Sequence, residues 1–144
     1  MTTMDPKEAY RAVVAFLEDH WERRPVPGDF GDFYGMCTLM SDGGTYDRAM
    51  WWDWLAAIIK VQTGVTFPDP RHRYLGPDMV KPMNTDEAYA AMFEFIREYW
   101  ERVSRPPEIG GLLDHMRYTP GTGTADPEMW KRWLAAVEKV QANR

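Results

Sequence analysis

The sequence predicts an all-α protein: two homologous three-helix units, packed with pseudo-two-fold symmetry and joined by a proline-rich extended linker. The first reason is an internal repeat. Residues 44–62 return as 123–141, an offset of 79, and at that offset 23 of the 59 positions in 4–62 match 83–141 without a gap. Such self-similarity sets the structural unit and is read before any local signal. The second reason is apolar spacing at three and four residues, the period of an amphipathic helix. The third is a helix-start signal at the same places in both copies. The predicted divisions are a first repeat over 4–62, a linker strap over 63–82 and a second repeat over 83–141, forming one compact domain.

Each element follows from its residues. Asp5-Pro6-Lys7-Glu8 offers an N-cap, a proline at the first helical position and an acid in the first turn, and Asn84-Thr85-Asp86-Glu87 repeats the cap and the acid. The opening helices should bury Ala9, Val13, Phe16, Leu17 and His20 or Trp21, with Ala88, Met92, Phe95, Ile96 and Tyr99 or Trp100 as counterparts. A short middle helix is expected from Asp29 and from Glu108, weakened by its glycines. Turns at Ser41-Asp42-Gly43-Gly44 and Pro120-Gly121-Thr122-Gly123 end it. The repeated helix, capped by Asp47 or Asp126, should bury Met50, Trp51, Trp54, Leu55, Ile58 and Val61, or Met129, Trp130, Trp133, Leu134, Val137 and Val140. Four prolines in 63–82 make the linker extended and semi-rigid, and Phe67, Tyr74, Leu75, Met79 and Val80 should dock it on the core.

At 144 residues folding buries roughly two-thirds of the unfolded surface, so no metal or disulfide is needed. Cys37 is the one cysteine and reads as an apolar filler, since Met116 is its counterpart. The N-terminus has no leader pattern and no apolar run approaches a membrane span, so the protein is expected in the cytoplasm. A net charge of −5 argues against nucleic acid and suits a basic protein partner.

No catalytic residue, cofactor or metal site is predicted. His20, His72 and His115 do not recur between the copies and have no ligand spacing. Asp114 and His115 are adjacent, which on a helix turns their side chains apart. The glycine-rich turns lack the lysine of a phosphate loop. Trp21-Glu22-Arg23 and its twin Trp100-Glu101-Arg102 read as structural, with Trp21 under the following loop and Arg23 placed to pair with Asp47. The differences between copies point elsewhere. Trp52, Ala56 and Ile59 make a second apolar stripe on the repeated helix, where the second copy has Lys131, Ala135 and Glu138. Asp53 lies beside it, and residues 28–53 hold five Asp (29, 32, 42, 47 and 53) against Arg48, a net of −4; the span 107–132 nets −1, four acids against three bases. Trp52, Asp53, Ile59, Asp29, Asp32 and Asp42 are therefore the candidate partner-binding residues, an aromatic centre with an acidic rim. Burial of Trp52 and Ile59 against the linker or the other copy is the alternative.

Glu87-Ala88-Tyr89, Gly111-Leu112-Leu113-Asp114-His115-Met116 and the run from Gly123 to Leu134 together resemble the immunity proteins of bacterial contact-dependent growth inhibition and related polymorphic toxin systems. Residues 83–141 carry the likeness best and 4–62 carry it as a diverged copy, although the tandem form departs from the single-copy pattern. The resemblance implies a cytoplasmic, non-enzymatic protein that binds and neutralises a cognate toxin, a basic domain given the charge above; the chain is expected to be a monomer or homodimer. Binding faces in such proteins diverge, so no toxin-contacting residue carries over. A self-associating structural or regulatory module, and a small enzyme built on a carboxylate or histidine site, are the alternative functions.

Overall fold

A computed structural model describes residues 3–67, 75–119 and 123–144. These residues are mostly helical: α1 (Pro6–Arg23), α2 (Asp29–Cys37), α3 (Arg48–Thr63), α4 (Thr85–Arg102), α5 (Pro107–Met116) and α6 (Pro127–Gln141). A 3₁₀ turn, Pro77–Met79, precedes α4, and a two-residue strand pair, β1 (Tyr118–Thr119) and β2 (Gly123–Thr124), lies between α5 and α6. His72, Tyr74 and the turn 120–122 lie outside the described residues.

Caps fix where the long helices begin. Asp5 accepts from the Glu8 N–H at 2.8 Å and Asn84 from the Glu87 N–H at 2.8 Å. Asp47 and Asp126 accept from Ala49 and Glu128 at 2.9 and 3.0 Å. Each satisfies an amide that the first turn leaves without an intrahelical partner. Helix α3 stops at Gly64, whose φ of 80° suits a residue without a Cβ. Helix α2 has no side-chain cap of its own; the Glu108 carboxylate, from α5, accepts the Phe30 N–H at 2.8 Å. That places a negative charge at a helix N-terminus.

The helices pack crosswise. Helix α1 lies along α6 and α3 along α4, while α2 meets α5. One continuous cluster of buried side chains runs through all six, with Trp54, Trp133, Tyr10, Tyr89, Phe16 and Phe95 among its largest members. Several bonds recur 79 residues on. Tyr10 Oη donates to the Cys37 carbonyl and Tyr89 Oη to the Met116 carbonyl, both at 2.7 Å. Trp54 Nε1 donates to the Pro6 carbonyl at 3.0 Å and Trp133 Nε1 to that of Thr85 at 3.1 Å. Gly31 and Gly110 repeat because a tryptophan lies against each: a Cβ would stand 2.8 Å from the Trp21 ring and 3.0 Å from Trp100 Nε1. Met4 and Met83, also 79 apart, exchange both backbone hydrogen bonds at 2.8 Å.

Several expectations are corrected. Arg23 pairs with Asp19, one turn back on α1, at 2.9 Å and not with Asp47, whose carboxylate is engaged at the α3 N-cap. Leu134 is 42% exposed although its counterpart Leu55 is fully buried, because α3 is covered over its whole middle and α6 along one stripe. In the linker Leu75 and Val80 are buried and Phe67 packs on the core, but Met79 is 47% exposed, turned out by the 3₁₀ turn.

A half-chain of about 60 residues buries too little surface to be secure alone, and here each half also lacks the helix that covers its own. Residues 83–144 expressed alone should show weak helicity and no cooperative thermal transition by circular dichroism. Acid should also unfold the whole chain. The hydrogen bond from Arg144 holds the Glu8 pKa below 4.5, and at Glu94 burial acts upward but Arg97 and Lys60 outweigh it. Carboxyls with depressed folded-state values stabilise above 4.5 and lose that contribution as pH falls through their folded values. The midpoint of thermal unfolding should therefore fall as pH drops below 4.5, measured in a pH series.

Candidate binding cleft

An open cleft of about 510 Å³ lies where the start of α1, the α2–α3 loop and the start of α3 converge. Its apolar wall is Tyr10, Trp51, Trp52 and Leu39; its rim carries Lys7, Arg11 and Arg48; Asp42 and Gly43–Thr45 close one side. Lys7 and Arg11 stand four residues apart on α1 and so share a face. The loop is held by local bonds: Met40 N–H donates to Gly44 at 2.7 Å, Gly43 N–H to Met40 at 2.9 Å, and Asp42 Oδ1 accepts the Gly44 N–H at 2.9 Å. Gly43 takes a φ of 86°, which a side chain would strain. Leu39 bridges Thr45, and Thr45 Oγ1 donates to the Asp47 carbonyl at 2.6 Å, tying the loop to the α3 cap.

The same place 79 residues on is built differently. Tyr118, the counterpart of Leu39, stacks on Trp130 with centroids 5.7 Å apart and planes at 28°. Tyr89 meets Trp130 edge-on at 5.4 Å, and Tyr10 meets Trp51 in the same way at 5.9 Å. Among the described residues Trp51 has no stacked ring, so the tyrosine slot of the second half is open in the first. Charge differs as well. Lys7, Arg11 and Arg48 correspond to Asp86, Ala90 and Pro127.

The candidate residues separate. Trp52 and Asp42 both line the cleft. Asp29 and Asp32 are exposed on the first turn of α2, whose nine residues span about 13 Å, and so stand at the end away from the cleft. Asp53 and Ile59 are corrected: each is only 5% exposed and neither faces solvent. Ile59 is buried because α3 packs along α4, and Asp53 because it meets Arg102 of α4 at 2.8 Å. Lys7, Arg11, Arg48 and Leu39 were missed by sequence reasoning. A comparison of the copies at these positions carries the signal, but it needs the fold to show that they converge.

Among the described residues the remaining titratable groups lie apart. His20 is half-buried, edge-on to Phe30 at 4.7 Å; burial first and the Arg132 charge second hold its pKa below the usual imidazole value. His115 faces Asp126 at 3.4 Å while Asp114 pairs with Arg117 at 3.1 Å, so the adjacent pair points two ways. Burial pushes the Cys37 thiol and the Tyr10 phenol up, which keeps both protonated. Among the described residues no cluster of three or more His, Cys, Asp or Glu is placed to hold a metal, and no helix is long and apolar enough to cross a membrane. A second groove, about 320 Å³ between α1 and α6, is lined by acids and bases that pair with one another, as Arg23 does with Asp19 and Lys131 with Glu128. No protein-family model, curated protein or solved structure matches the chain.

Tyr10 supports the cleft wall through its hydroxyl. Tyr10→Phe leaves the buried Cys37 carbonyl without that donor and should cost about 1–3 kcal/mol. Chemical denaturation will measure it, with a lower midpoint and an unchanged denaturant slope expected.

Proposed function

We propose that the chain is a non-enzymatic protein-binding module of the immunity kind, which binds and neutralises a cognate bacterial toxin in the cytoplasm. In this reading it is a duplicated domain, with 4–62 and 83–141 as two three-helix units about a local two-fold that passes between Met4 and Met83. The reciprocal backbone pair at those residues supports that axis, since an antiparallel pair of equivalent residues has one of its own. The shared bonds of Tyr10 and Tyr89, and of Trp54 and Trp133, support it further.

The observation that carries the binding role is the difference between equivalent places. One half fills its slot with Tyr118; the other leaves a cleft of ligand-site size, walled by tryptophan and rimmed by cations. Aromatic residues beside arginine are the usual composition of a binding hot spot. The net charge of −5 favours encounter with a partner that is basic overall, while the element seated in the cleft carries negative charge. The acidic face expected around Trp52 is replaced in this reading by a cationic cleft.

Co-expression with the product of the neighbouring gene tests the role. That product should arrest growth alone, and this chain should restore growth and co-purify with it. A Trp52→Glu variant should lose about 30-fold or more in affinity, as for truncation of a hot-spot residue. A product that is harmless alone, or remains toxic beside this chain, refutes the reading.

A further inference from the structure

We propose that the cleft is a binding site for a planar aromatic ring that carries an anionic group. The second half acts as the template. There a ring from the protein, Tyr118, lies on Trp130 while Tyr89 meets the same indole edge-on. In the first half Tyr10 keeps the edge-on contact with Trp51, and among the described residues no ring takes the stacked position that Leu39 leaves open to the cleft. A ring entering the cleft therefore has a floor already shaped for it, and stacking on an indole is the geometry aromatic pairs favour.

The charge requirement comes from a second difference. Lys7, Arg11 and Arg48 have no ion-pair partner among the described residues, and their counterparts are an acid, an alanine and a proline. The Glu8 charge, three residues back on α1, offsets Arg11 only in part. Lys7 and Arg11 repel at four-residue spacing, and Lys7 and Arg48 sit in first helical turns, where cations oppose the helix dipole. The one carboxylate among the lining residues, Asp42, accepts the Gly44 amide through Oδ1 and keeps its charge, so the lining carries three cations against one anion. Three unpaired cations around an indole suit an aryl phosphate or aryl carboxylate, the ring on Trp51 and the oxygens on the guanidinium groups. A volume of about 510 Å³ admits a substituted ring with room for more. The same chemistry reaches the cleft as a free small molecule or as a modified tyrosine on a protein. The inference rests on the cleft of the proposed function, but not on the partner being a toxin.

Titration calorimetry with the intact chain tests it, using phenyl phosphate, inorganic phosphate, phenol and a short phosphotyrosine peptide. Phenyl phosphate should bind saturably, with phosphate and phenol each about tenfold weaker or more, since each lacks one of the two contacts. Leu39→Tyr should place the protein's ring in the slot, keep the fold and weaken phenyl phosphate about tenfold or more. Arg11→Ala, at an exposed position, should weaken phenyl phosphate and leave the thermal midpoint in place. A peptide bound more tightly than phenyl phosphate identifies a protein source, and equal binding a small molecule. The proposal is overturned if phenyl phosphate shows no saturable binding at millimolar concentration, if phosphate or phenol binds equally well, or if both variants bind as the parent does. Phenyl phosphate binding alongside a failed growth rescue removes the immunity reading and leaves the site; rescue without it does the reverse.

Discussion

Each long helix takes its main packing partner from the opposite half of the chain, α1 from α6 and α4 from α3. Everything else in the fold depends on that constraint. Apolar stripes that would be half-covered within one repeat are closed by the other, so the chain gathers one core where two marginal ones would otherwise stand. It also explains why so many aromatics repeat. A fully buried tryptophan that also ties its helix to the first turn of the opening helix of its own half has few substitutes, and Trp54 and Trp133 do both.

Crosswise packing sets the same face of α3 and α6 against the opening helix of the other half, and charge records a difference between the two contacts. On α3, Asp53 is buried against Arg102 of α4. On α6 the same position is Arg132, 4.0 Å from Asp19 of α1. The pairing survives with its sign reversed. Further ion pairs join the halves at the edges of the same contacts, Lys60 with Glu94 and Arg144 with Glu8. A misplaced helix would set like charges together, so the arrangement of these part-buried pairs disfavours other pairings.

The helical nature, the element boundaries and much of the core were legible because caps and apolar period act locally. Asp5, Asn84, Asp47 and Asp126 each begin a helix where the sequence places them. What the sequence hid is set by long-range packing. Trp52-Ala56-Ile59 reads as an exposed stripe by period alone, and only the presence of α4 beside α3 shows that Ile59 and Asp53 face inward. Leu134 fails in the opposite direction: it has the right spacing but little covering it. The short strand pair escaped because two-residue strands have no period to detect. The cleft escaped for a different reason. Its members come from positions 7–11, 39–45 and 48–52, and no window along the chain contains them together.

The repeat is nevertheless what makes the cleft interpretable. Stretches of one chain that match at a 79-residue offset share temperature, solvent and one buried cluster, so a difference between matched places is close to an internal control. Where the copies agree, at Met50, Trp51, Trp54 and their twins, the residues hold the helices together. Where they differ in a buried place, as at Asp53 and Arg132, the neighbouring helix explains the change. At the cleft neither account works. Leu39 in place of a tyrosine uncovers an indole, and Lys7, Arg11 and Arg48 add positive charge that Asp42 and the nearby Glu8 offset only in part. Indole surface left open to water, and like charges four residues apart on α1, are both mildly unfavourable in the isolated protein, and both become favourable once a ring bearing negative charge enters. A recognition role is the reading in which the two costs have one cause.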